Sequence, residues 1–199
     1  MILLVALVLA MITAWARGGR LGALAQVDLR VGWLALLGFA LQFVVIYERE
    51  PTMAKPWSPQ ALLLMGSYGL LCVFAALNWR CPGIPLMAAG MALNLLVMAA
   101  NGGFMPVTPE TLEAAGLANL ASSPMIGARV AMSKDIVLTR EAAHLWWLGD
   151  LFVLGPPVRT AFSPGDLFLA AGAFWFFHRS MRPVDAQKAP EQPKRRPRE

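Results

Sequence analysis

Four long apolar runs without a single charged side chain fill the first half of the chain, at positions 1–16, 31–47, 61–78 and 84–100. Such runs read as membrane helices, because each crossing needs about 20 residues and lipid offers no partner for unpaired backbone groups. At 16 to 18 residues each, they lie near the lower limit for a span. Trp33, Tyr47, Trp57 and Trp79 flank the second and third runs as interface anchors. A fifth run, 167–177, is only 11 residues long, so to cross it must draw 161–166 toward the membrane. That sets a last span at about 163–178, with Asp166 shallow in the outer leaflet or in a protein-lined cavity. The pattern predicts an all-α integral membrane protein of about five transmembrane helices.

Composition agrees with that class. With 57% hydrophobic residues, 15% charged and a mean hydropathy of +0.55, the chain is too apolar for an ordinary soluble domain. Ala14-Trp15-Ala16 imitates a signal-peptidase site, yet Arg17 and Arg20 follow the first run instead of a basic stretch preceding it, so the run is read as a retained span. Arg17, Arg20, Arg30 and Arg80 sit in two of the loops, and residues 179–199 carry seven Lys/Arg against three acids. The positive-inside rule then predicts a membrane protein with its N-terminus outside and its C-terminus cytoplasmic. Residues 1–178 form the polytopic domain and 179–199 a disordered basic tail that anionic lipid headgroups attract. No folded nucleic-acid reader accompanies that tail, so nucleic acid is not an expected partner.

Between the fourth and last runs, 101–162 reads as an outer helical region. Thr108-Pro109-Glu110 predicts a short helix through 120, Ser123-Pro124 another start, and Thr139 a third that carries His144. Positions 143–157 are too short to cross and read as an interfacial or re-entrant helix.

The candidate chemistry lies in the same region. Asn101-Gly102-Gly103-Phe104-Met105-Pro106 is either a helix end, turned by glycine and closed by proline, or a flexible loop that presents amides to a ligand. Ser163-Pro164-Gly165-Asp166 has the form of a capping box at the start of the last helix. Asp150 stands between apolar runs with no basic neighbour, so it must pair, take a proton or face water. His144, Arg159 and Asp166 are its possible partners. Glu141 and His144 share one helix face, but a single Glu-x-x-His does not make a metal site, and neither metal nor cofactor is expected. Gln42 and Asn94 read as hydrogen-bond partners between helices, and Cys72 and Cys81 as packing residues. The expected binding site therefore comprises Asn101, His144, Asp150, Asp166 and Arg159.

The order of Asn101-Gly102-Gly103-Phe104-Met105-Pro106, His144, Leu148-Gly149-Asp150 and Ser163-Pro164-Gly165-Asp166 resembles a family of small bacterial multi-pass membrane proteins known only as a domain of unknown function. The resemblance covers most of 1–178 and implies a bacterial membrane protein without supplying an activity. Phe162-Ser163-Pro164-Gly165-Asp166 is also similar to the last aspartate motif of lipoprotein signal peptidases, although the arginine and asparagine expected around the first aspartate are Leu151 and Trp147 here. That likeness implies Asp150 and Asp166 as a catalytic dyad. The leading expectation is a non-enzymatic protein that binds the bilayer, a lipid or a membrane-protein partner. The alternatives are an aspartyl hydrolase and a small-solute or ion transporter.

Overall fold

Residues 2–47, 53–117 and 126–182 are described by the structure, a computed structural model. The five apolar runs form helices α1 (Ile2–Ala16), α2 (Trp33–Ile46), α3 (Pro59–Leu77), α4 (Ile84–Ala100) and, after the cap described below, α6 (Pro164–Ser180). Their starts follow local chemistry. Ser58 accepts from the Ala61 amide with Pro59 at the first helical position, and Gly83 opens α4 in the left-handed region, φ 83°. At the start of α6, Ser163 and Asp166 complete the expected capping box.

Neighbouring helices pack in the order α1, α6, α4, α3, α2. At one end, the Arg20 amide donates to Met181 O, while the Asn78 side chain takes the Arg30 amide and donates to Arg30 O. Arg17, Arg20, Arg30 and Arg80 thereby gather at that end.

The opposite end carries a cap built from short strands. β1 (Met105–Val107) pairs in parallel with β2 (Asp135–Val137), and Val107 bridges to Asp150 on its other side. Between them runs a short helix, α5 (Pro109–Ala114). β3 (Phe152–Leu154) and β4 (Thr160–Phe162) form an antiparallel hairpin that leads into α6. Arg129 ties the cap to the end of α2, its Nη2 donating to Val45 O at 2.9 Å.

These features correct the expected fold class. The chain is not all-α, because two small sheets close one end. Nor is it a protein of five spanning helices: among the described residues only α3, at 19 residues, is long and apolar enough to cross a membrane by length and composition. The reason is geometric. At about 1.5 Å per residue, helices of 14 to 17 residues such as α1, α2, α4 and α6 reach only about 21–26 Å, short of a hydrocarbon core of about 30 Å.

The interfacial or re-entrant helix at 143–157 is also absent. Leu145 takes a positive φ of 52°, one 3₁₀ turn follows at Trp146–Leu148, and Gly149 is extended. The Asp150 amide then donates to Pro106 O, and Phe152-Val153-Leu154 joins β3, as its aromatic and branched side chains favour. Thr139 caps only a turn at Ala142. The helix expected from Thr108 ends at Ala114, ahead of Gly116 at φ 68°. Positions 118–120, the start at Ser123-Pro124 and positions 183–199 of the basic tail lie outside the described residues, while positions 179 and 180, expected in that disordered tail, continue α6 as its last turn.

Candidate functional site

Under the cap, a lysine without any distinguishing motif gathers the acids. Met105 in β1 takes its amide partner from Lys134 O, which fixes Lys134 and Asp135 at the mouth of the β1–β2 pair. Asp150 is held on the other side of β1 by its amide bond to Pro106. Lys134 Nζ then lies 3.8 Å from Asp150 Oδ1 and 3.8 Å from Asp166 Oδ2. Its stem leaves the side chain 17% exposed, but the ammonium itself is buried and makes no hydrogen bond.

Asp166 is the best satisfied of the acids. Its Oδ1 accepts from Asn94 Nδ2 at 2.9 Å, and its Oδ2 from the Ser163 amide at 3.2 Å. Ser163 Oγ donates to Asn94 Oδ1, so α4 and α6 are joined by a closed ring of hydrogen bonds. The interhelical role expected of Asn94 is thus present. The Tyr68 hydroxyl, buried on α3, lies near the same asparagine.

Asp135 and Asp150 form the second half. Both are buried, and each has a carboxylate oxygen with no partner. Burial pushes Asp150 well above the usual carboxylate range; Lys134 pulls it down, and the charges of Asp135 and Asp166 add to the rise. Burial also raises Asp135, against the pull of Lys134 and a hydrogen bond from Ser133. Burial alone would push Lys134 down, yet Asp150 and Asp166 hold it well above its ordinary value. Three buried carboxyls are thus set around one lysine, with Asp135 and Asp150 pushed toward the protonated form.

The five sequence candidates divide. Asp150 and Asp166 face one cation. Asn101 and His144 meet, but not through the imidazole: Asn101 Nδ2 donates to His144 O at 2.8 Å and its Oδ1 accepts from His144 N at 2.9 Å, with the His144 side chain exposed. The neighbouring Gly103, at φ 96°, turns the chain into β1 against Ala61, so this loop is a helix end that also docks the cap. Arg159 is exposed on the β3–β4 turn beside Gly116, and the cation that faces Asp150 is Lys134 instead. Asn101→Ala is expected to cost about 1–3 kcal/mol by leaving a buried amide and carbonyl unpaired. His144→Ala is expected to change stability by no more than about 0.5 kcal/mol, with both read by thermal unfolding.

Lys134, Asp135 and Tyr68 escaped the sequence reading. The available signal was Asp150 itself, a buried acid that needs a partner, but the cation nearer to it in sequence, Arg159, is not the one that faces it. Among the described residues no cluster of ligating side chains suits a metal ion.

With this geometry in place, comparison with known proteins gives a family. DUF5317 matches residues 26–178, most of the chain. The chain belongs to this family of unknown function. The DUF5317 match runs from the end of the first arginine loop to His178, and so takes in the cap and every member of the Lys134 cluster. An uncharacterized protein of Thermotoga maritima is 32% identical over 150 residues, which cover 75% of this chain and 77% of the relative. No solved structure matches.

Proposed function

We propose that this DUF5317 protein is held in a bacterial cytoplasmic membrane as a non-enzymatic binding protein for a lipid or a membrane partner, with the Lys134 cluster as its polar site under the cap. The observation that carries this reading is the surface of the helical body. Leu4, Leu36, Phe43 and Val44 are each at least 60% exposed, and Phe39, Leu62 and Phe174 extend the same apolar cover. Soluble monomers rarely expose contiguous apolar surface on this scale. The gathering of arginines at the end opposite the cap supports a cytoplasmic position for that end and an outer position for the cap.

The hydrolase alternative draws no support from the geometry. Asp166 is engaged by its own capping box and by Asn94, and one ammonium lies 3.8 Å from both aspartates. A dyad that must activate water needs a freer carboxylate.

Alkaline carbonate washing of bacterial membranes is the test of residence. The protein is expected to stay in the pellet until detergent is added, and recovery in the wash would overturn the reading. For orientation, an impermeant thiol reagent applied to whole cells is expected to label Glu113→Cys in the cap and not Arg80→Cys, both in a background without Cys72 and Cys81. The reverse pattern would invert the orientation.

A further inference from the structure

All five long helices line a cavity of about 430 Å³ that none of the polar groups described above fills. Helix packing explains it. α1 leans on α6 and α2 leans on α3, so the wall has a seam between α1 and α2, where Leu4, Leu7 and Phe39 stand partly exposed at the rim. The volume falls in the range of about 300–1,000 Å³ typical of small-molecule sites. It is too small for a partner's helix, since a single helical turn about 10 Å across and about 5.4 Å long would already occupy it.

The cavity is polar at one end only. Gln42 and Tyr68 are the polar side chains on its wall, and both lie toward the cap. Toward the arginine-rich end the wall is Phe74, Ile84 and Ala173. Behind Tyr68 stand Asn94 and then the cluster, in which three aspartates face one lysine. That excess of acid disfavours an anion at the Tyr68 end, whereas a hydroxyl can both accept from and donate to a phenol and an amide.

Resting on the membrane reading above, we propose that this cavity takes the hydrocarbon chain of a single-chain membrane amphiphile whose polar end is uncharged, entering between α1 and α2 and hydrogen-bonding Tyr68 and Gln42. The ligand class is a long-chain alcohol or an equivalent neutral lipid.

The test uses the purified full chain in detergent with radiolabelled hexadecanol, and hexadecanoate at alkaline pH as the charged counterpart. Saturable uptake of one hexadecanol per chain is expected, with hexadecanoate at least tenfold weaker. Ala170→Phe, which fills the cavity, is expected to abolish uptake. Tyr68→Phe keeps the shape and is expected to weaken hexadecanol about tenfold, the scale of one neutral hydrogen bond. Absence of saturable uptake by the folded wild type, or wild-type uptake by Ala170→Phe, overturns the cavity assignment. Equal or tighter hexadecanoate binding, or an unchanged Tyr68→Phe, overturns the uncharged polar end. A protein that stays in the carbonate-washed pellet yet takes up no hexadecanol loses only this inference, whereas one released by the wash loses the membrane reading as well.

Discussion

Lys134→Met is expected to lower stability by about 3–5 kcal/mol at neutral pH, the usual cost of removing one partner from a buried ion pair. The variant leaves Asp135, Asp150 and Asp166 facing one another without a cation. Its pH dependence separates this cause from simple loss of packing. Burial already raises Asp150 and Asp135, and removal of the lysine removes the principal charge that holds them down. The folded variant therefore binds protons that its unfolded chain, with ordinary aspartates near pH 4, has released. Since the native state binds more protons than the unfolded state, stability falls as pH rises above the ordinary aspartate range and returns as pH is lowered. Thermal unfolding in detergent across pH is expected to show the Lys134→Met deficit shrinking toward acid. A deficit that is the same at every pH would mean that the lysine stem, not its charge, matters.

The second large effect is expected at the contact of α4 with α6. A Cβ placed on Gly165 would run into Asn94 Oδ1 and Gly90 O, and one on Gly90 would run into Gly165 O and the Leu169 amide. Main chain here lies against main chain, as in helix pairs that use small residues to approach closely. Because backbone cannot rotate aside as a side chain does, Gly165→Leu is expected to cost at least about 3 kcal/mol, the upper part of the range for overpacking. It also breaks the ring of Asn94, Ser163 and Asp166, so the cap should loosen with the helices. Gly66→Ala is the control. Nothing lies within 4 Å of a Cβ there, and a helix-interior alanine is expected to leave stability unchanged or raise it by up to about 1 kcal/mol. Denaturation in detergent with limited proteolysis of the cap reads both. Equal stability of the two variants would show that α4 and α6 do not meet at these glycines.

The helices were legible because their signal is local. An uncharged run of 16 to 18 residues and the Ser163-Pro164-Gly165-Asp166 start fix α1 to α4 and α6 to within a few residues, without reference to the rest of the chain. Crossing a bilayer is a different property, and apolar content overstated it: α2 is apolar along its whole length yet has 14 residues. The cap was illegible for the opposite reason. Each of its strands has three residues, and β1 finds its partners across long separations, Met105 with Asp135 and Val107 with Asp150. A three-residue strand carries almost no periodic signal. The site inherits that division. Asp150 and Asp166 stood out because acids amid apolar residues demand a partner. Lys134 did not, because its role arises only once β1 brings residues 135 and 150 to its two sides.

A double-mutant cycle between Lys134→Met and Asp150→Asn is the most direct test that the cluster acts as one compensated unit. Asp150→Asn removes the acid that most needs neutralising, so it should relieve part of the damage done by Lys134→Met. A coupling energy of about 1–3 kcal/mol in that direction at neutral pH is expected. Strict additivity, within about 0.5 kcal/mol, would contradict the claim and leave Lys134 and Asp150 as neighbours without a shared role.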